Sequence, residues 1–232
     1  LIDLYDAEIR YFDSEVERLI RGVRDEWGED TLIVFTSDHG EELGDHGGYN
    51  HHSTYFDEVI HVPLIVDIGT SAGSHNEIVE LVDVAPTLLD YADIKQPESY
   101  VGTSLSSIID EGEWNKERAI IENDDSRAYR DHRWKYISRD EKILSSIKDE
   151  EKPENIPRWY REEYSDVEVL YNIAEEPGEK TNVCERYSIV AAQIESKLKK
   201  HQNMVDTTDE NLDTVEITSE TENQLEQLGY ME

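Results

Sequence analysis

Residues 5–27 place Ile9, Phe12, Val16, Leu19, Ile20, Val23 and Trp27 on one stripe at helical spacing, with charge elsewhere. That period predicts an amphipathic helix, and Gly28 is positioned to close it. Thr31 to Ser37 is a continuous apolar, β-rich run of the kind a strand shows when both faces are covered, as in a parallel sheet. Val62 to Ile68 is a second such run, with Pro63 at its start, where no ladder N–H is lost. Between them, residues 40–57 are rich in Gly, His and acids without a period and predict a long loop. A turn over 69–74 leads to a helical pattern over 77–94, carried by Ile78, Leu81, Val82, Ala85, Leu88, Leu89 and Ala92. Pro86 interrupts that pattern and predicts two pieces or a kink. This alternation of helices and strands predicts an α/β fold with helices packed on a mostly parallel sheet.

The pattern changes after residue 112. Ala119–Glu122, Arg127–Ser138 and Glu168–Asn172 read as strands, and Ser188–His201 as a helix with Val190, Ile194 and Leu198 in register. These predict a small antiparallel α+β subdomain over 113–204, following a first unit over 1–112. Residues 145–166 form a polar insertion with Trp159 and Tyr160. Residues 205–232 are an acidic tail whose last stretch, with Leu225 and Leu228, is expected to dock as one helical turn. No internal repeat is visible.

Charge sharpens the picture. The 232 residues carry a net charge of −33 spread along the whole length. Nucleic-acid and anionic-membrane partners are disfavoured by like charge, and no run of about 18 apolar residues exists to span a bilayer. Uniform acidity fits a protein that stays hydrated in concentrated salt, where repulsion is screened over about 3 Å at 1 M. The fold is therefore expected to loosen on dialysis into dilute buffer; an unchanged circular dichroism spectrum would contradict the halophilic reading. The single cysteine, Cys184, excludes an internal disulfide and reads as an inert structural thiol. The chain opens at Leu1 directly into helical sequence, with no signal-peptide pattern. A cytoplasmic location is expected, any export signal lying upstream of Leu1.

Five of the eight histidines fall between His39 and His61, together with Asp38, Glu41, Glu42, Asp45 and Asp57. Asp38-His39 sits where the first strand ends, the place where ligands bind in open α/β sheets. If the chain bends at Gly40, an Asp oxygen and a His nitrogen can point into one cleft and hold Ca²⁺, Mg²⁺ or Mn²⁺. The other reading is a plain Asp-His-Gly turn with the imidazole bonded to backbone. Arg127, Arg130, Arg133 and Lys135 read as a solvated strand face, or alternatively as a rim for an anionic substrate; Trp114, Trp134 and Trp159 read as packing, and Asp124-Asp125 as a turn.

The segment Thr36 to Gly47, TSDHGEELGDHG, resembles the metal-site loop of the sulfatase family within the alkaline phosphatase superfamily. Residues 5–13, 57–65, 82–89, 127–137, 170–173 and 176–182 resemble successive parts of that family in order, so the likeness runs over most of residues 1–202. The resemblance, to a member of halophilic archaeal type, implies an alkaline-phosphatase-like mixed sheet flanked by helices, truncated at its N-terminus, with the small α+β subdomain after it. It implies hydrolysis of a sulfate monoester. Asp38 and His39 would be two ligands of a divalent cation, calcium first. His51, thirteen positions after Asp38, stands where the family often has a sulfate-contacting Lys and is the catalytic candidate, with His46 and His52 as substrate-binding candidates.

The family's nucleophile is a Cys or Ser in C/S-x-P-x-R, oxidised to formylglycine. The residues two before each proline are His61, Val84, Lys95, Glu151, Asn155 and Glu175, so no such segment lies in these residues, nor does the family's N-terminal Asp pair. The resemblance is thus to the C-terminal portion of a sulfatase, with formylglycine belonging to an N-terminal portion, a small sulfated substrate as partner, and a separate N-terminal half as a further partner. The 232-residue chain alone is expected to be inactive. Two alternatives stay open: a phosphate or phosphonate ester hydrolase or phosphoethanolamine transferase of the same superfamily, and a non-catalytic cation-binding or interaction module.

Overall fold

The computed structural model describes residues 1–50, 54–69, 73–123, 126–140 and 166–209. Helix α1 (Ile2–Trp27) follows the predicted stripe. It stops at Gly28, whose φ of 95° lies in the left-handed region, and whose N–H closes on the Arg24 carbonyl at 2.8 Å. Strand β1 (Ile33–Thr36) and β4 (Leu64–Asp67) form as expected, and Pro63 precedes the latter. They pair with each other antiparallel, Ile33 opposite Asp67 and Thr36 opposite Leu64, which corrects the expectation of parallel neighbours. Among the described residues, the connection between them holds no crossover helix of the kind a parallel pair requires. It carries instead a short hairpin, β2 (Glu42–Leu43) with β3 (Tyr49–Asn50), and a one-turn helix α2 (Asp57–Ile60), so the predicted loop has internal structure.

Helix α1 rests on this pair through Phe12 against Phe35, ring centroids 6.2 Å apart, and through Arg24, which reaches Asp67 and Glu29. It buries no residue: Leu19 and Trp27 are 66% and 72% exposed. Two half-buried strands present too little surface to cover a stripe of that length. The predicted break at Pro86 is realised as a tight turn over Leu81–Asp83 that runs into α3 (Val84–Tyr91). Pro86 sits in the first turn, where a missing N–H costs nothing. Asp83 is fully buried there and accepts from the Glu80 and Thr103 amides and from Lys116.

The second unit is a four-stranded antiparallel sheet in sequence order: β5 (Arg118–Glu122), β6 (Ser126–Asp131), β7 (Trp134–Arg139) and β8 (Glu168–Asn172). The run 127–138, expected as one strand, is a hairpin. Asp131 turns the chain by accepting the Arg133 and Trp134 amides on one carboxylate oxygen at 2.8 and 2.7 Å. Side chains alternate along this sheet with period two. Tyr129, Tyr136 and Leu170 face Ala191, Ile194 and Leu198 of helix α4 (Ser188–Asp209); Ala128, Ile137, Val169 and Tyr171 face Tyr55 and Phe56 of the first unit. The sheet is therefore covered on one side by its own helix and on the other by the segment leading into α2. Helix α4 runs to Asp209, past the 201 expected and into the predicted tail. The expected insertion over 145–166 lies outside the described residues except for Asp166, as do Asp124, Asp125, Trp159 and the terminal turn. Among the described residues, no helix is long and apolar enough to cross a membrane.

Candidate metal-loop site

Strand β1 delivers Asp38 and His39 into solvent at its carboxyl end, their side chains 78% and 43% exposed. The loop is locked by short bonds. Asp38 Oδ1 accepts the His39 amide at 2.9 Å, and Ser37 Oγ donates to the His39 carbonyl at 2.6 Å. The His39 amide and then its imidazole hold the Asp38 carboxyl below its ordinary value, so it is ionised through the neutral range. His39 Nδ1 lies 2.9 Å from the Gly40 carbonyl. A carbonyl only accepts, so Nδ1 carries the proton and the ring's lone pair is fixed on Nε2. That nitrogen and Asp38 Oδ2 are 3.8 Å apart. Two donors each about 2.3–2.6 Å from one hard cation span such a gap. A His tautomer set by a backbone carbonyl is the outer-shell arrangement that metal-binding histidines use. The imidazole is bonded to backbone, and that bond turns its other nitrogen toward the carboxylate. Among the described residues, no group of three or more His, Cys, Asp or Glu gathers around a metal position, so the pair is at most part of a ligand set.

Gly40 acts differently from expectation. Its backbone is not in the left-handed region. What requires glycine is close approach: a Cβ there would stand 2.0 Å from the Glu58 carbonyl oxygen. The Gly40 and Glu41 amides donate to the Val59 and Glu58 carbonyls at 2.7 and 3.0 Å, which straps the strand-end loop to α2.

His46 lies in the turn of the β2–β3 hairpin. Its ring stacks on Phe56 with centroids 3.4 Å apart and planes 3° apart, Nδ1 is 2.5 Å from Glu58 Oε1, and Nε2 is 3.0 Å from the Gly178 carbonyl. Both ring nitrogens are engaged within the chain, an arrangement for holding structure rather than for meeting a substrate. His51 and His52 lie outside the described residues.

The reading of the basic cluster as a solvated face is corrected at Lys135 and Arg130. Lys135 is fully buried, with Nζ against the Tyr55 carbonyl at 2.9 Å, Asp57 Oδ1 at 2.5 Å, and Glu179. Arg130 makes a two-point pair with Asp57 at 2.8 and 3.0 Å, Arg127 pairs with Glu122, and Arg133 with Glu175. Lys135 and Arg130 bind the subdomain sheet to α2 through Asp57, whereas Arg127 and Arg133 pair with acids inside the subdomain. Trp114 and Trp134 pack, the former donating to the Ile78 carbonyl and the latter edge-on to Tyr187. Burial, then the nearby carboxylates of Glu168, Asp166 and Glu185, push the Cys184 thiol up, which suits an unreactive side chain. Glu58, Asp57 and Glu179 went without a role at the level of sequence; the acid-rich stretch at 57–58 and the family-like 176–182 segment were the only signals.

Known proteins can now be set beside this geometry. Residues 1–94 match the sulfatase family model. Over 143 residues the chain is 33% identical to a choline-sulfatase of Rhizobium meliloti, which takes in 57% of this chain and 28% of that protein. It is 40% identical over 107 residues to a multifunctional alkaline phosphatase superfamily protein, PehA, of Trinickia caryophylli, 40% of this chain and 20% of that one. The phosphonate monoester hydrolase of Agrobacterium radiobacter superposes over 83% of this chain and 39% of its own, with a TM-score of 0.61 at 22% identity. The chain spans 20–31% of the length of the curated relatives it matches and 39–43% of the solved chains. These findings support the sulfatase and alkaline-phosphatase-like family, and the fold is the alkaline-phosphatase-like mixed α/β arrangement, represented here over part of its length.

Proposed function

We propose that this chain supplies the metal loop and C-terminal subdomain of a sulfuric ester hydrolase. The observation that carries the reading is the paired presentation of Asp38 Oδ2 and His39 Nε2 at the end of β1, 3.8 Å apart with the tautomer fixed by Gly40, inside sequence that matches the sulfatase model. Asp38 and His39 would hold a divalent cation, calcium first, with Mg²⁺ or Mn²⁺ as the other oxygen-preferring ions. When bound, that ion neutralises the non-bridging oxygens of a sulfate monoester. His51 would donate to the sulfate in place of the family's usual Lys, with His52 beside it. His46 is assigned to holding the loop. The substrate is a small sulfated molecule, and the nucleophile comes from sequence outside these 232 residues or from a separately encoded N-terminal half.

The test joins the chain to its N-terminal portion and follows cleavage of a chromogenic aryl sulfate. Asp38→Ala should lower kcat at least about 100-fold, with the loss unrelieved by excess calcium. The 232-residue chain alone should neither turn over nor bind calcium tightly, since two protein ligands fall far short of six to eight oxygens. Robust cleavage by the isolated chain, or full activity in Asp38→Ala, would remove the proposal.

A second reading is favoured by one observation, the 40% identity to a multifunctional superfamily member over 107 residues. It makes the parent a phosphate or phosphonate ester hydrolase. An aryl phosphonate cleaved faster than the matching aryl sulfate would decide for it.

A further inference from the structure

His46 sits at the tip of the β2–β3 hairpin, in a turn closed by Gly47 N–H on the Gly44 carbonyl at 3.1 Å, and its ring reaches two other parts of the chain. The Gly178 carbonyl, in the loop after β8, can only accept, so Nε2 carries a proton. Glu58 is the other partner. Burial, the largest influence, would raise its carboxyl, but the His46 hydrogen bond, the Glu58 backbone amide and the charges of His46 and Lys135 together hold it below the ordinary value, so Glu58 is ionised and also only accepts. Nδ1 therefore carries a proton as well. Two acceptors on two nitrogens require the imidazolium form, and the flat stack on Phe56 at 3.4 Å places that cation on an aromatic face.

The surroundings agree. Glu58 faces the ring from α2 and Glu179 from the loop after β8. Lys135 on β7 is occupied by Asp57 and Glu179, and the Lys180 stem passes beside Gly178. Burial pulls the His46 value down, but Glu58, the Gly178 carbonyl and Glu179 together carry it above the ordinary one.

We propose that His46 is a charged latch, a positioning residue that fastens the hairpin following Asp38-His39 to both α2 and the C-terminal sheet. Glu58 serves the loop twice, by its carbonyl to the Glu41 amide and by its carboxylate to His46. The importance of the latch for catalysis rests on the sulfatase-type reading; its existence does not. The sign follows from the two groups. Glu58, lowered on folding, gives stability that is lost as pH falls through its folded value. His46, raised on folding, gives stability that is lost as pH rises through its folded value. The latch is closed between the two and opens as pH falls past the Glu58 value or rises past the His46 value.

Long-range proton–nitrogen NMR on the histidine-labelled protein tests this without any cation or ester present, so its failure is separate from failure of the enzymatic reading. Both His46 ring nitrogens should be protonated at neutral pH. Deprotonation should occur above the ordinary histidine value of about 6.5. Across that step, exchange of the hairpin backbone amides should quicken about tenfold beyond the intrinsic pH effect. Glu58→Gln should move the step down in pH. His46→Phe, which keeps the stack and loses both N–H groups, should abolish it and leave exchange fast throughout. A neutral His46 ring at neutral pH in the wild type, or a step that persists in His46→Phe, overturns the latch. Should His46→Phe fail to fold, the wild-type ring spectrum and Glu58→Gln decide.

Discussion

Lys135→Met should destabilise the protein by about 3–5 kcal/mol, measured by urea denaturation at constant salt. The ammonium is wholly buried and lies between Asp57 and Glu179, the latter 1% exposed. Removing it strands the desolvated Glu179 carboxylate and leaves Asp57 with Arg130 alone, which costs far more than an exposed pair is worth. The two acids respond differently. Burial would raise Asp57, yet the Arg130 hydrogen bonds and the charges of Lys135 and Arg130 override it and hold the carboxyl well below its usual range. At Glu179 burial prevails even against Lys135 and pushes the carboxyl up. In the variant, Glu179 should therefore take up a proton first, and the deficit should shrink as pH falls. Adding Glu179→Gln to Lys135→Met should recover part of the loss, a non-additivity of about 1–3 kcal/mol. A Lys135→Met protein within about 0.5 kcal/mol of wild type at neutral pH would mean that the cation is not holding the two units together.

Such contacts mark the limit of what periodicity reveals. Helix α1, strands β1, β4 and β8 and the start of α4 follow from local apolar spacing, and Asp38-His39 follows from standing at a strand end. Strand direction does not: an apolar run reports that a strand is covered, and the antiparallel pairing of β1 with β4 depends on what the intervening chain builds. The β6–β7 hairpin was hidden because its turn contains no Gly, Pro or Asn and is made by Asp131 accepting two amides. The ion network was hidden for a different reason. Lys135 meets Asp57 across 78 residues, Glu179 meets the Asp57 amide across 122, and His46 meets Gly178 across 132. Alternating cations on a strand look solvated until the partner that covers them is known. For the same reason, a histidine in a site-like loop looks like a substrate ligand in sequence, whereas both nitrogens of His46 are engaged inside the chain.

Gly40→Ala should cost about 3 kcal/mol or more, and its damage should fall on the loop that carries Asp38 and His39. The added Cβ would meet the Glu58 carbonyl oxygen at 2.0 Å, its carbon at 3.0 Å and the Val59 Cα at 3.3 Å. All three are backbone atoms, so no flexible side chain can swing away. The Gly40 amide bond to Val59 draws these segments together, and the methyl would force them apart. Either the strap from Gly40 and Glu41 to α2 breaks and Asp38-His39 shifts, or α2 moves and takes Asp57 and Glu58 out of their pairs with Lys135, Arg130 and His46. Both routes lower the thermal midpoint and, on the function proposed above, would lower cation affinity with it. Gly22→Ala is the matched control. It lies within α1 with nothing inside 4 Å of its added Cβ, and it should stabilise by about 0.5–1 kcal/mol. If Gly40→Ala unfolds at the wild-type temperature, close backbone approach is not what shapes this loop, and the placement of Asp38 and His39 needs another cause.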